Sequence, residues 1–478
     1  MTIATEPSFD VSPVSWWMDE AMQAEGGEGE PLPPDACEGQ EVDVAIIGGG
    51  FTGLWTALLL AQKAPTLSIA VIEAGLCGGG ASGKNGGKAH GYWAQLPHLI
   101  ASFGEDQALA IARAGSRAQE AIRAFAKTAP LDFWWRDGGN IRVATTPQQE
   151  AKLRAYVDAA ARLGEPEQAV FLPAEEVRAY CDSPAFLSGV FFQEGATVQP
   201  ARLARALRSA ALAQGVRVFE HTAMTGRESG GPCRVRTTRG TLTARQVVLA
   251  TNVALARESA IAPVLSVFSS YAAISTPTPA LERMGWNSDV GFADARMFLH
   301  YFRRTLDDRV LMGAGAGPVA YGNRWTSARM TRDRSAAQRA VRGMMRLLPA
   351  LGGTPVEKAW GGAIDVASDR LPFVGTLPGG NVHYACGYSG HGVTPTHMAA
   401  QCLVSLVLGL HNEWRDLPLM GRRQPRLPPE PFRFVGATSI RRAILACEDA
   451  EERGDSPSWL ARAVATVPVK LGLKIGVR

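Results

Sequence analysis

At 478 residues, 46% hydrophobic and 20% charged, the chain is long enough for two or three domains with sizeable cores and has the composition of an ordinary globular protein. Its net charge of +4 is small for that length and its basic residues are dispersed, which excludes an extended nucleic-acid-binding stripe. Seven cysteines without CxxC or zinc-like spacing, no apolar run of about 18 residues, and a first 40 residues without a signal-peptide pattern predict a cytoplasmic protein with no metal site and no membrane span.

In chain order, residues 1–40 form an extension in which Trp16 and Trp17 are expected to pack back onto the body, with Gly26 to Pro34 as a tether. A strand follows over Val42 to Ile47, then Gly48-x-Gly50-x-x-Gly53, then an apolar helix over Leu54 to Gln62. Gly48 suits the tight turn, Gly50 lets a pyrophosphate approach the backbone, and Gly53 lets helix and strand pack closely. The phosphates would face the helix N-terminus, where free N–H groups and the macrodipole favour negative charge. A second strand, Ser68 to Ile72, ends at Glu73, whose carboxylate can accept ribose hydroxyls, with Ala74 beside it. This motif suits FAD and NAD equally.

Helices are predicted over 104–127, 147–163 and 174–181, with strand-like and turn-like residues from Phe133 to Thr145. A helix from Pro200 to Gln214 leads into strands Val216 to Glu220 and Gln246 to Thr251, which read as returning elements of the dinucleotide sheet. Residues 262–276 and 296–314 are β-branched and aromatic, predicting a separate antiparallel sheet. Strict alternation there puts Phe298, His300 and Phe302 on one face and Leu299, Tyr301 and Arg303 on the other. The last core helix is predicted from Pro395 to Leu408. Beyond Arg422, a helix over Ser439 to Glu452 and a basic stretch, Trp459 to Arg478, are expected to pack on the body or a second subunit rather than on a membrane surface. An oligomer is compatible with this tail.

After Glu73 comes a second glycine-rich segment, AGLCGGGASGKNGGKAHGYW, too long and polar for an ordinary connection and suited to wrapping a bulky ligand. Together with the first loop it resembles the FAD-dependent D-amino-acid oxidase superfamily, in particular the branch related to gamma-glutamylputrescine oxidoreductase, whose GASG-[RK]-NGG core stands at Gly80 to Gly87. The segments VVLATN (247–252), WGGAIDVASDRLPFVG (360–375) and GYSGHG (387–392) extend the resemblance.

The resemblance implies an α/β fold: a discontinuous Rossmann-like FAD-binding domain (41–130, 185–255 and 355–420), an antiparallel-sheet substrate domain (131–184 and 256–354) and a C-terminal extension (421–478). It assigns Phe51, Thr52, Ser82, Lys84, Asn85, Gly86, Gly87, Thr251 and Trp360 to the cofactor. Gly390, His391, Gly392, Val393 and Thr394 would approach the flavin pyrimidine ahead of a helix N-terminus, where reduction develops negative charge. The implied reaction is oxidation of a C–N bond in a small amine or amino acid, by hydride transfer to flavin N5, giving an imine that hydrolyses. Neutral amine substrates require orientation rather than a strong base.

Tyr301, Arg303, Tyr271 and His391 are the candidates for catalysis or substrate contact. Arg303 would bind a substrate carboxylate, against the simpler reading of an outward Tyr-Arg pair. His391, between two glycines, is also compatible with a plain loop residue. The segment Ala262 to Ser266 lacks the lysine that some relatives place over the flavin, so the electron acceptor is oxygen or another molecule. Cys386, beside the flavin loop, reads as a small core thiol. The alternatives are a flavin monooxygenase or NAD-linked reductase, for which no second nucleotide fingerprint is found, and a flavin-binding sensor without turnover.

Overall fold

A computed structural model of the chain describes residues 9–28, 31–228 and 231–470; part of the Gly26 to Pro34 tether and the last eight residues of the basic tail lie outside them. The apolar runs Glu41–Ile47 and Ile69–Ile72 form the centre of a parallel sheet, flanked by Arg217–Phe219 on one side and Gly240–Leu249 on the other. Val382–Cys386 joins the end of Gly240–Leu249 in parallel, and Phe373–Thr376 pairs antiparallel with it. Continuous β-branched runs are what a sheet covered on both faces requires. The helices Phe51–Lys63, Pro200–Ala213 and Val393–Val407 cover one face, and an antiparallel excursion, Met224–Glu228 with Cys233–Thr237, returns into Gly240–Leu249.

A second sheet of nine strands is mainly antiparallel, in the order Val11–Ser12, Val356–Ala367, Leu265–Ser275, Val310–Ala314, His300–Arg304, Gly291–Asp294, Asn140–Ala144, Ser188–Phe192 and Val170–Pro173. The helix Arg334–Leu347, capped by Asp333 accepting the Ala336 N–H, packs its apolar face on it. Ser188–Phe192 and Val356–Ala367 belong to this sheet, whereas the expected boundaries at 185 and 355 group them with the dinucleotide unit. Both are strands whose sequence shows burial but not which sheet buries them.

The predicted helices form over Glu105–Ala126, Pro147–Arg162, Ala174–Tyr180, Pro200–Ala213 and Val393–Val407. The predicted strand region 296–314 divides: residues 296–299 form a turn, and His300–Arg304 and Val310–Ala314 form a hairpin. The tail helix is longer than predicted, Phe432–Glu452, and packs on the body. Its Glu448, Asp449 and Glu452 carboxylates bind the buried Arg296 guanidinium. No helix among the described residues is long and apolar enough to cross a membrane.

Candidate functional site

The C-terminal ends of the central parallel strands open onto one cavity of about 1380 Å³ that reaches the nine-stranded sheet. At its first end, Gly48 takes φ +110°, and a Cβ there would stand 2.5 Å from the Ala250 carbonyl oxygen. A Cβ on Gly53 would stand 1.9 Å from the Gly48 oxygen, so helix and strand meet at a distance only glycine permits. Helix Phe51–Lys63 begins at Gly50 with no capping side chain on that residue, and the Phe51 N–H donates to Ser82 Oγ at 2.9 Å. Glu73 accepts from the N–H groups of Gly49 (2.7 Å) and Gly75 (2.9 Å), and burial pushes its carboxyl upward. His221, Ala223 and Met224 complete this end. A glycine cradle at a helix N-terminus, with a carboxylate one strand away, fits a pyrophosphate and a ribose. Asn252 adds a buried Oδ1 on the cavity wall with no protein partner.

The second glycine-rich segment is held from behind. Ser15 Oγ donates to the Gly83 carbonyl at 2.6 Å, Trp360 Nε1 to that of Lys84 at 2.9 Å, and Trp17 Nε1 to that of Asn85 at 2.9 Å. Arg303 Nη1 donates to the carbonyls of Gly87 (3.1 Å) and Val198 (2.7 Å). Trp17 and Trp360 pack edge to face, 6.5 Å between centroids, and the Arg303 guanidinium lies over Trp17. Within the loop, Asn85 Oδ1 accepts the Gly87 N–H at 2.7 Å. Lys84, Asn85 and Gly86 face the cavity, where burial lowers the Lys84 ammonium.

The nine-stranded sheet supplies the opposite wall. Ser266, Phe268 and Ser270 line the cavity while the residues between them turn away, as strand alternation requires. Tyr301 packs against Gly86, its hydroxyl 3.3 Å from Ser270 Oγ, and burial raises its phenol, keeping it protonated. His391 lines the cavity with its ring 5.9 Å from that of His90, and burial holds both imidazoles well below their usual range, His90 at about 4. Asp365 accepts the Gly387 N–H, and burial pushes its carboxyl up to about 7. The tail helix roofs the cavity with Gly436, Ile440, Arg441 and Ile444.

Of the residues expected from sequence, Gly48, Gly50, Phe51, Thr52, Glu73, Ala74, Ser82, Lys84, Asn85, Gly86, Thr251, Gly390, His391, Gly392, Val393 and Tyr301 line this one cavity. Gly53 and Gly87 lie just behind it, Gly87 with φ +67° and no room for a Cβ beside the Val198 carbonyl.

Four expectations are corrected. Tyr271 is on the opposite face of its strand: its hydroxyl donates to the Arg329 carbonyl at 2.6 Å and accepts the Asp333 N–H at 2.8 Å. Arg303 shares the parity of Tyr301 but lies farther along the strand, where backbone carbonyls take its guanidinium, so it has no access to substrate. Trp360 supports the Lys84 carbonyl rather than lining the cavity. Thr394 turns into the core and donates to Gln119 Oε1 at 2.7 Å. Sequence reasoning missed the roles of Ser15, Trp17, Asp365, Arg142 and Arg370, because their partners are remote in the chain.

Comparison with known proteins follows the same geometry. Residues 43–406 match the family described as FAD dependent oxidoreductase. Gamma-glutamylputrescine oxidoreductase of Escherichia coli (strain K12) is 31% identical over 376 residues, covering 77% of this chain and 84% of that protein. Probable oxidoreductase OrdL of Rhizobium meliloti (strain 1021) is 29% identical, covering 87% and 92% respectively. Among solved structures, glycine oxidase from Geobacillus kaustophilus superposes with a TM-score of 0.66 at 21% identity, covering 81% of this chain and all of that one. L-alpha-glycerophosphate oxidase from Mycoplasma pneumoniae, with FAD bound, gives 0.64 at 14%, covering 82% and 97%.

Proposed function

The chain belongs to the FAD dependent oxidoreductase family, and from that premise we propose that it oxidises a C–N bond of a small amine or amino acid held between the flavin loops and the nine-stranded sheet. The observation that carries this reading is the continuity of one cavity from the glycine cradle at Gly48–Gly53 to the wall of Ser266, Ser270 and Tyr301. Bound FAD supplies the oxidant, accepting hydride from the carbon next to nitrogen and leaving an imine that water hydrolyses. Phosphates would be held by the N-terminus of Phe51–Lys63 and by Ser82, and ribose by Glu73; the flavin end would be held by Lys84 to Gly87 and by Gly390 to Gly392.

The chain's own groups orient substrate and exclude water. Phe298, Leu299, Ile364 and Ile440 are apolar walls, and Tyr301 is a neutral hydroxyl held by Ser270. His90 and His391, kept neutral by burial, leave a substrate amine without a cationic neighbour at their ring positions. No arrangement of nucleophile and base is needed when geometry and a dry site provide the rate. The absence of lysine from Ala262 to Ser266 supports an electron acceptor other than oxygen. Seven buried free cysteines support a reducing, cytoplasmic setting.

The test is anaerobic titration of the flavin protein with polyamines, gamma-glutamylated amines, N-methyl amino acids and D-amino acids. Bleaching of the visible flavin band by one class is the expected result, with slow reoxidation in air and fast reoxidation by an artificial dye. A band left intact by every class would overturn the reading.

A further inference from the structure

One corner of the cavity is walled by Lys88, His90, Arg142, Arg370 and His391. These groups come from separate parts of the chain: the second glycine-rich segment, the strand Asn140–Ala144, the turn after Val356–Ala367 and the GYSGHG loop. Arg142 is fixed in place, its Nη1 donating to Tyr156 Oη at 2.6 Å and its guanidinium 5.0 Å from the centroid of that ring. Lys88 Nζ donates to the Phe292 carbonyl at 2.8 Å. Arg370 has neither a side-chain hydrogen bond nor an ion pair among the described residues, and its backbone adopts φ +64°, a region that favours glycine.

No protein carboxylate answers this charge. Three carboxylates line the cavity among the described residues, and all are engaged elsewhere: Glu73 by Gly49 and Gly75, Glu258 by Arg227, and Asp365 by Gly387. Glu194, behind Gly91, is taken by the Gly91 N–H and Ser116. The cations also act on one another: burial and Arg142 hold Lys88 down to about 7, and burial and Arg142 both lower Arg370. Two guanidiniums facing a partly desolvated space without a counter-ion form a site that an anion completes. Their planar forks match a carboxylate in particular.

We propose that Arg142 and Arg370 bind a carboxylate of the substrate, so that the amine oxidised here is an amino acid or an amine bearing a carboxylate. This rests on the proposed C–N oxidation and assigns the recognition expected of Arg303 to two other arginines. Arg370 holds a strained backbone because a glycine, which would relax it, has no charge to contribute.

The test titrates the FAD-loaded enzyme with propionate and, separately, propionamide, reading the perturbation of the flavin spectrum, in wild type, Arg370→Gly and Arg142→Gln. Propionate should bind saturably and propionamide should not, and each substitution should raise the propionate Kd about tenfold or more. Arg370→Gly fits its φ, so its melting temperature should hold or rise, which separates lost binding from lost fold. An unchanged propionate Kd in both variants, or equal binding of propionamide, overturns the proposal. A lowered flavin potential with unchanged propionate affinity also overturns it, assigning the cluster to the flavin instead. If carboxylate-free amines bleach the flavin as fast as carboxylated ones, this inference falls while the oxidase reading stands; if no amine bleaches it, the reading falls whatever propionate does.

Discussion

The two glycine-rich loops of the cavity face the same ligand space and are stabilised in opposite ways. The first, Gly48 to Gly53, is shaped by its own residues: absent Cβ atoms let strand, turn and helix close on each other, and Glu73, at the end of the next strand, ties down the Gly49 N–H. The second, Gly80 to Gly87, depends on side chains from distant positions, with Ser15, Trp17, Trp360 and Arg303 capturing the carbonyls of Gly83, Asn85, Lys84 and Gly87. A loop shaped by sterics is rigid wherever its glycines are kept, whereas one held by borrowed donors is only as firm as the elements that lend them.

Substitutions can break or sharpen that contrast. The largest effect is expected at Gly48→Ala, which forces a side chain into φ +110° and against the Ala250 backbone oxygen. A loss of about 3 kcal/mol or more is expected, read as a lower urea midpoint together with a collapse of the flavin-to-protein absorbance ratio. Arg303→Met comes next. It strips donors from the Gly87 and Val198 carbonyls, for a loss of about 2 kcal/mol. Because Arg303 has no access to substrate, KM should change equally for carboxylated and neutral amines; selective loss of the carboxylated ones would restore its expected role. Trp17→Phe is the mildest, removing one N–H from the Asn85 carbonyl while keeping a ring beside Trp360. Flavin affinity should fall about fivefold, near 1 kcal/mol, with the urea midpoint almost unmoved. Flavin affinity unaffected by this change and by Arg303→Met would show that the second loop, like the first, supports itself.

The same contrast explains what was legible in the sequence. The first loop reads correctly because its chemistry is local: three glycines, two flanking strands and a carboxylate at fixed spacing. The second loop was recognised only through its resemblance to a family, and its supports were not, since nothing near Trp17 or Trp360 in the sequence indicates a carbonyl to bind. Strand alternation gave the right parity for Tyr301 and Arg303, but parity does not say how far along the strand the cavity extends. Tyr271 failed on parity itself, because the sequence did not reveal which face of Leu265–Ser275 looks onto the site. Arg370 was visible inside a flavin-associated motif, but its positive φ was not, as arginine is not a residue that announces such a turn.

The roof of the cavity has a consequence for the protein's birth. Gly436, Ile440, Arg441, Ile444 and Val467 follow every other wall residue in chain order. A nascent chain that has already emerged from the ribosome through Val393–Val407 therefore carries both glycine loops and the substrate wall without a cover. Lasting retention of the cofactor is thus an event of release, completed when the final helix docks through Arg296 and its three carboxylates.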